Sequence, residues 1–525
     1  MDRFKMIFES TKGCCRLYLA TFAILLPGLC GFPLRAEYKI DYKAEIIANV
    51  GDGKFAPYYV ASNRHGLITQ TNTALLLAGI SRQWDSSSRF SCGFGADFVA
   101  DYSNATEYRR FMPRESGGGT WEANYQRPQE VWVQQLYGEM RYRGVFMTVG
   151  LKEHASALLD NRLSSGDLVE SGNSRPIPEV RIGFNDFQDI PFTQGWVQIQ
   201  GEISYGKLTD NGWLRNHFNY YTGHINEGAL YSYKRCYFRT KPSAPLSVTV
   251  GMQVGAMFGG TTTWYSEGKV TQTRKFSRGV KEFFKILVPT DGGQEYYSGS
   301  SLGSWDIHAR YWLRDGSYLK AYLQKPWEDG SGIGFMNGFD GLWGLEYKAP
   351  FPGIVDGVVV EYLDFTNQSG PLHWDPDDAP ESTITTRAEG ADDYYNNHEY
   401  NSYAYYGMAI GTPFLPSPIY NRDGYLGFVN NRVRGFHIGI QGTPMESLGY
   451  RVLGGYRKGW GNGYYPSLES THDTSFMAEV TYSPERVAGL SVSAQIALDH
   501  GSMLGNRMGG CFYVSYKGDF SFGRK

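Results

Sequence analysis

Two short runs in this 525-residue sequence carry residue types that could do chemistry. The run from Gly299 to Gly303 (GSSLG) matches the G-x-S-x-G pattern of serine hydrolases, in which the serine is the nucleophile. That pattern needs a strand that turns sharply into a helix, and this context is missing, so a surface loop is the better interpretation. The acidic run Asp375–Asp378 offers the oxygen ligands that Ca²⁺ prefers. A solvated loop explains that run more simply.

Other catalytic and metal patterns are missing from the sequence. It contains no H-E-x-x-H and no zinc-ligand spacing, and its carboxylates are too numerous to single out a glycosidase pair. Of the six cysteines, three follow residue 36, namely Cys92, Cys236 and Cys511, and their odd number and wide spacing exclude a disulfide framework. We therefore expect no enzyme activity, no metal and no other cofactor. A formal net charge of −3 gives no electrostatic case for a nucleic-acid partner.

The composition indicates what kind of element positions these residues. Glycine at 65 residues, tyrosine at 39 and aromatics at 15% favour strands and tight turns over helices. Hydrophobic residues make up 41% and charged residues 20%, which excludes wholesale disorder. A mean hydropathy of −0.40 excludes a helical membrane protein.

The N-terminus has the layout of a secretory signal peptide. Residues 1–16 are basic, and the apolar stretch Leu17–Leu29 that follows is too short to span a bilayer with ease. A small residue at Ala36 offers a cleavage point, which predicts a signal peptide at residues 1–36. The alternative is a membrane anchor, which Pro27 and the shortness disfavour.

Strict alternation of apolar and polar residues dominates the rest of the chain. In Leu246–Phe258 and Leu490–Asp499 apolar residues fall on one face and mostly small or polar residues on the other, as in two-sided strands. Runs of about ten residues are long enough to cross a membrane as tilted strands. The pattern predicts an all-β fold in which residues 37–525 form one transmembrane antiparallel barrel of about 18 strands, a monomer in contact with outer-membrane lipid. A soluble exported β-protein is the alternative, although no domain linker is visible.

Two segments break the alternation. Residues 153–187 are rich in turn formers and charges, with one short helical stretch predicted around residues 154–163. We interpret this segment as an inward plug, because non-strand backbone at membrane depth is tolerated only against protein or in a lumen. Residues 371–401 are acidic and aromatic without a strand pattern, which predicts a long extracellular loop.

These two segments also carry a resemblance to a known family. The run Leu168–Val180 (LVESGNSRPIPEV) resembles the S-x-N-A-R-P-x-P signature of the Wzi family of capsule-assembly outer-membrane proteins, with Ser174 in place of the usual alanine. Further on, Tyr394–Tyr400 (YYNNHEY), Gly411–Pro413 and the stretch from Asn431 to Gly439 resemble the C-terminal half of the family's Bacteroidetes-type branch. The match is collinear over most of the chain.

The resemblance implies an 18-stranded plugged barrel in the outer membrane of a Gram-negative cell. It implies a lectin-like function, in which the protein binds capsular polysaccharide and helps assemble or retain it at the cell surface. Aromatic faces, amides and guanidinium groups are the types that recognise such sugars. The candidates for this contact are Arg175, Arg181, Trp374, Tyr394, Tyr395, Asn396 and Asn397, and the plug signature comprises Asn173, Arg175, Pro176 and Pro178.

Structural roles remain open for these same residues. Arg175 could hold a plug turn by bonding to plug or wall carboxylates, and the Tyr-Tyr-Asn-Asn run could serve as a turn or as interfacial aromatics. For the whole chain, the alternative function is an outer-membrane channel or transporter for small solutes or oligosaccharides.

Overall fold

The structure, a computed structural model, describes residues 38–522 except 86, 116, 280, 283–298, 370–372, 376–386 and 390–391. The signal peptide predicted at residues 1–36 lies outside this part of the chain and stays a prediction. Asp377 and Asp378 of the acidic run also lie outside the described residues.

The described chain forms a closed antiparallel barrel of 18 strands, which confirms the predicted fold class. In chain order the strands are β1 (Tyr38–Asp52), β2 (Thr73–Arg82), β3 (Phe90–Ser103), β4 (Val131–Tyr142), β5 (Val145–Leu151), β6 (Pro178–Phe184), β7 (Val197–Lys207), β8 (Leu230–Thr240), β9 (Leu246–Phe258), β10 (Ser300–Trp312), β11 (Tyr318–Trp327), β12 (Gly341–Lys348), β13 (Gly357–Asp364), β14 (Val433–Met445), β15 (Leu448–Gly461), β16 (Pro466–Tyr482), β17 (Leu490–Gly501) and β18 (Arg507–Phe522). The first and last strands close the ring, with Tyr38 opposite Phe522 and Asp52 opposite Met508.

Smaller elements decorate the connections. They comprise a hairpin of Thr106–Pro113 and Gly119–Gln126, a three-stranded sheet of Gly223–Glu227, Thr261–Ser266 and Lys269–Lys275, the strand Gln188–Asp189, the pairs His373–Asp375 with Arg387–Glu389 and Ala404–Tyr405 with Met408–Ala409, helices α1 (Tyr58–Ala61), α2 (Trp213–His217) and α3 (Gly330–Ile333), and a 3₁₀ helix at Pro418–Tyr420. Among the described residues, no helix has the length and apolar character needed to cross a membrane.

Alternation along each strand separates an apolar outer face from an inner face that meets protein. On β17, Ile496 and Leu498 point outward and are 65% and 43% exposed, whereas Gln495 and Asp499 point inward and are each 3% exposed. Successive side chains of a strand face opposite ways, so a period-two sequence produces this arrangement directly. An apolar outer belt of this kind is what lipid requires.

The two ends of the barrel differ in their connections. Tyr38 and Phe522 lie at the end where β4 joins β5 through residues 143–144 and β14 joins β15 through residues 446–447, which we call the short-turn end. The opposite, long-loop end carries the connections 104–130, 208–229, 259–299 and 365–432. In outer-membrane barrels short turns face the periplasm and long loops face outside.

Three segments enter the lumen from the long-loop end, and together they form the plug. They are the first plug segment (residues 53–72), the second (152–177) and the third (392–432). Their contacts reach the wall on different sides: the Tyr58 amide donates to Asp499 of β17 at 2.8 Å, and the Ser165 amide donates to Glu361 of β13 at 2.7 Å. Asp167 accepts hydrogen bonds from Gln253 of β9 and Gln324 of β11, both at 2.8 Å.

The plug differs from its prediction in three respects. Its second segment ends at residue 177, because Pro178–Phe184 form β6 with Val180 and Ile182 on the outer face. The predicted helical stretch at residues 154–163 is wrong: these residues form turns and bends, and the helix of the plug is α1 in the first segment. The first segment itself was not foreseen.

The hydrophobic core lies inside the lumen, between plug and wall. Val169 of the second segment and Phe428 of the third are fully buried in one cluster with wall residues such as Leu342 and Leu363. Burying one such side chain contributes about 1.5–3 kcal/mol. The plug is therefore held by an apolar core as well as by polar contacts.

Candidate functional site

A cleft of about 430 Å³ lies at the long-loop end, above the plug. Its walls come from five connections, and each of them contributes polar or aromatic residues. The lining residues are Gly66, Thr69, Gln70, Tyr108, Asn124–Gln129, Arg175, Asp210, Asn211, Trp213, Asn216, Tyr406, Met408 and Ile419.

Arg175 forms part of the cleft and lies between two aromatic rings. Its guanidinium carbon is 4.1 Å from the ring centre of Trp132 and 4.5 Å from that of Tyr406, and Nη1 donates to Gln129 Oε1 at 2.8 Å. Burial lowers the pKa of Arg175, while the nearby tyrosine hydroxyls oppose that shift. An arginine stays charged under such a shift. The ring sandwich therefore presents a fixed, desolvated cation at the cleft.

Glycine at position 66 makes room for this arginine. Gly66 has φ +64°, and a Cβ atom placed there would lie 2.9 Å from Arg175 Cγ. A residue larger than glycine would strain this left-handed backbone and would crowd the Arg175 side chain.

The opposite wall of the cleft is aromatic. Trp213 stacks on His217 with ring centres 4.4 Å apart and an interplanar angle of 17°, and Tyr108 meets the other side of His217 edge-on at 4.5 Å. Burial lowers the pKa of His217 to about 3, so its ring stays neutral. The stack fixes the orientation of Trp213, which gives the cleft a positioned apolar face.

Turn chemistry holds that wall in place. Asp210 accepts the amides of Gly212 at 3.2 Å and Leu214 at 2.7 Å, which caps α2 and engages the carboxylate. The Asn124 side chain donates to the Asn216 carbonyl at 2.7 Å, which ties the neighbouring hairpin to the end of α2. The cleft is therefore assembled by local hydrogen bonds among separate loops.

Arg181, predicted to contact the polysaccharide, has a different environment. It is 3% exposed and forms ion pairs with Glu170 at 2.7 Å, Glu179 at 2.7 Å and Glu202 at 2.8 Å. Glu170 belongs to the plug and Glu202 to β7, so Arg181 joins the plug to the wall. All of its charge is used internally, which corrects the prediction that it is open to a sugar carboxylate.

Tyr394 and Tyr395 are also internal. They are 1% and 4% exposed, and their hydroxyls donate to Asp340 Oδ2 at 3.1 Å and to the Leu168 carbonyl. The prediction that residues 371–401 form an extracellular loop is therefore corrected for residues 392–401, which belong to the third plug segment. The physical reason is that distant partners satisfy their polar groups within the lumen.

The next two candidates hold the chain of the third segment. Asn396 accepts the Phe428 amide at 2.7 Å and donates to the Phe428 carbonyl at 3.0 Å. Asn397 accepts the amides of Glu399 at 2.9 Å and Tyr400 at 3.0 Å, which makes a local turn. Trp374 lies in the short strand His373–Asp375.

The plug signature has a clear structural role. Asn173 is fully buried, accepts the Asn63 amide at 3.1 Å and donates to the Ala409 carbonyl at 3.0 Å. One side chain thus links all three plug segments. Pro176 is buried behind Arg175, and Pro178 begins β6.

Several cleft residues were missed by sequence reasoning, namely Trp132, Gln129, Trp213 and Tyr406. Gln129 and Trp132 lie just before and within β4, whereas Trp213 and Tyr406 lie in two other connections, so no spacing relates all four. The run Asp210-Asn211-Gly212 ahead of Trp213 is a turn signal that could have drawn attention to that tryptophan. No cluster of three or more carboxylate, histidine or cysteine side chains suited to a metal occurs in the described part of the chain. Of the acidic run, Asp375 ends a short strand.

Comparisons with known proteins bear on the fold. No family model matches the chain, and no curated protein matches it. Wzi of Escherichia coli, described as an outer membrane protein involved in group 1 capsule assembly and as a carbohydrate-binding β-barrel, is similar over 92% of this chain and 85% of that one, at 11% identity and a TM-score of 0.53.

Two other solved barrels cover similar lengths. Acinetobacter baumannii OccAB2 is similar over 92% of this chain and 98% of its own, at 9% identity and a TM-score of 0.46. Pseudomonas aeruginosa OccK3 (OpdO) is similar over 92% and 96%, at 12% identity and a TM-score of 0.44. The likeness to Wzi establishes a shared fold, that of outer-membrane β-barrels.

Proposed function

We propose that this chain is a lectin-like protein of the Gram-negative outer membrane that retains an acidic surface polysaccharide, without turning it over. The observation that carries the proposal is the cleft at the long-loop end, where Arg175 is held between two rings and faces the positioned Trp213. A guanidinium pairs with a carboxylate in a bidentate manner, and an aromatic face packs on the apolar side of a sugar ring.

The interlocked plug supports retention over transport. A diffusion channel needs an aqueous path, whereas Asn173, Arg181 and Asp167 tie the plug segments to each other and to the wall at several points. The channel alternative would require these buried bonds to break together. The absence of turnover rests on the sequence, which offers no credible catalytic group.

The sequence signature and the fold both favour a polysaccharide as the ligand. The signature around Asn173 resembles the Wzi family, and the barrel shares its fold with a protein whose description includes carbohydrate binding. Modest affinity per cleft is sufficient, because one polymer engages many barrels and multivalency multiplies weak contacts.

The test compares two single substitutions in cells that make the polysaccharide. Trp213→Ala removes the apolar face of the cleft, and Tyr465→Ala is the matched control, since Tyr465 is 75% exposed at the long-loop end outside the cleft. We expect Trp213→Ala, and deletion of the gene, to shift polysaccharide from the cells into the medium while total synthesis continues. Unchanged cell-bound polysaccharide in the deletion strain, with loss of a small solute's uptake, would instead favour the channel.

A further inference from the structure

A second cavity lies on the other side of the plug, at the short-turn end. It has a volume of about 400 Å³, which falls within the range of roughly 300–1,000 Å³ typical of ligand pockets. Residues 157–160 of the second plug segment form its roof. The wall strands β7 to β12 and the β6–β7 turn supply the rest, including Asp186, Phe187, Arg239, His308, Arg310, Tyr318, Lys320 and Glu346.

His308 is a buried polar side chain without a partner in this cavity. It is 4% exposed, and neither ring nitrogen has a hydrogen-bond partner among the described residues. Its ring stacks on Tyr322 with centres 5.4 Å apart and an interplanar angle of 14°, so its orientation is fixed. A buried polar group that lacks a hydrogen-bond partner destabilises the folded protein, which calls for a functional reason.

Arg310, which lines the same cavity as His308, adds a hydrogen-bond donor that is open to a ligand. Its guanidinium carbon lies 4.9 Å from the ring centre of Trp312 and 5.9 Å from that of Tyr318. The Nε atom is buried and has no hydrogen-bond partner within the described chain. Arg310 is therefore held by aromatic faces while its donors stay available.

The remaining cations of the cavity are engaged. Lys320 pairs with Glu346 at 2.5 Å and donates to the Leu158 carbonyl at 2.8 Å. Arg239 donates to Gln198 at 2.7 and 3.1 Å and lies 3.9 Å above the ring centre of Phe187. These contacts shape the site without using Arg310 or His308.

The carboxylates of the cavity are engaged as well. Glu346 also accepts the Tyr318 hydroxyl at 2.6 Å, Asp160 accepts the amides of Arg162 at 2.9 Å and Leu163 at 3.1 Å, and Asp186 accepts its neighbouring amide at 2.7 Å. His308 and Arg310 are thus the open polar groups among the described residues. A neutral imidazole has one N–H donor and one acceptor nitrogen, so the two residues together suit a ligand that carries acceptor oxygens and hydroxyls.

We propose that this cavity is a second sugar site, which binds a carboxylate-bearing sugar unit from the short-turn side of the plug. The carboxylate pairs with Arg310, and a ring hydroxyl or carboxylate oxygen meets His308. The choice of a sugar among possible carboxylates rests on the proposed function. The geometry of the site does not depend on the cleft at the other end.

The test uses the purified full-length protein in detergent, with digalacturonate as the probe and neutral digalactose as the reference. Arg310→Gln removes the cation from a residue whose Nε makes no hydrogen bond, and we expect it to weaken digalacturonate binding at least about tenfold by calorimetry. Arg434→Gln is the control, because Arg434 lies near the long-loop end over Trp460. We expect Arg434→Gln to leave the affinity for digalacturonate unchanged.

A second variant guards against a folding defect. His308→Phe keeps the stack on Tyr322 and removes both nitrogens, and we expect a several-fold loss of affinity with an unchanged heat-modifiable band. Equal affinities of wild type and both variants, or equal affinities for digalacturonate and digalactose, would overturn the inference.

The same measurement separates this inference from the proposed function. Binding that Arg310→Gln abolishes, together with normal retention in Trp213→Ala cells, supports the second site and contradicts the cleft. If Trp213→Ala reduces polysaccharide retention while Arg310→Gln leaves digalacturonate affinity unchanged, the result contradicts the second site and leaves the proposed function standing.

Discussion

Arg175 and Arg181 lie six positions apart in the sequence and have opposite surroundings. Arg181 is enclosed by three carboxylates within 2.8 Å, so its charge is neutralised and its role is to hold plug and wall together. Arg175 is held by two aromatic rings and by the Gln129 amide, and it lines a cleft. The difference teaches that an arginine stays available to a ligand when rings, rather than acids, hold it in place.

The same substitution at both sites tests this contrast most strongly. Arg181→Met removes the cation shared by Glu170, Glu179 and Glu202, of which Glu202 keeps its pair with Arg235 at 3.2 Å. Breaking a buried ion-pair network of this kind costs about 3–5 kcal/mol of folding free energy. We expect the barrel to lose the heat-dependent shift in gel mobility that marks the folded form, or to fail to assemble. Arg175→Met is the matched control, and its barrel assembles normally. Equal assembly of the two variants would show that the carboxylates around Arg181 are not the reason for its burial.

The link between plug segments predicts a smaller effect for Asn173→Ala. The change leaves the Asn63 amide and the Ala409 carbonyl unpaired in the lumen, which costs about 1–3 kcal/mol. We expect faster hydrogen exchange in residues 53–72 and 392–432 alike. Asn397→Ala, which removes a turn within the third segment only, serves as the control. Exchange that rises in one segment alone would contradict the three-way link.

Arg175→Met sharpens the comparison on the binding side. Methionine packs between the rings of Trp132 and Tyr406, so the lost cation–π contact costs only about 0.5–2 kcal/mol of stability. Binding of an acidic surface polysaccharide, measured with the purified barrel, falls about tenfold, because a charge-assisted pair is removed. A neutral polysaccharide of similar length is affected less. Unchanged binding of the acidic polymer would remove Arg175 from the site.

The smallest expected effect concerns Asp392, a buried acid whose charged neighbours include Asp329 and Asp340. Burial raises the pKa of Asp392 from its ordinary value of 3.8 to about 7, although Ser369 donates to it. Because the folded state holds the proton more tightly, its stabilising effect is present below about pH 4 and is lost as pH rises to about 7.

Hydrogen exchange of residues 392–401, corrected for intrinsic rates, checks this. We expect more local opening at pH 8 than at pH 5, and Asp392→Asn abolishes the difference. If Asp392→Asn keeps the full pH dependence, another group controls it.

The strands of the barrel wall could be predicted from the sequence, because the pattern that identifies a strand lies within that strand. Each strand such as Leu246–Phe258 carries its own period-two pattern, because its side chains alternate between the outer and inner faces of the barrel whatever the neighbouring strands are. The exception is β6, where Pro178 and Glu179 open the strand and Arg181 points into the lumen, so the signature obscured the alternation. A short strand with a charged inner face reads as a loop.

The plug and the cleft could be predicted only in part, since their structure depends on distant partners. Tyr394 can be buried because its hydroxyl donates a hydrogen bond to Asp340. No local sequence pattern reveals a partner so far away in the chain. The same holds for Arg175, whose rings come from β4 and from the third plug segment. The sequence identified Arg175 through a family resemblance, while Trp213 carried no such signal.

The most direct measurement compares polysaccharide binding by purified Trp213→Ala and Tyr465→Ala barrels with that of the wild type, using surface plasmon resonance and the cell's own acidic surface polymer. Both side chains are aromatic and lie at the long-loop end, but only Trp213 lines the cleft. We predict at least a tenfold loss of affinity for Trp213→Ala and no change for Tyr465→Ala. Equal affinity of all three proteins would contradict the proposal that this cleft holds the polysaccharide.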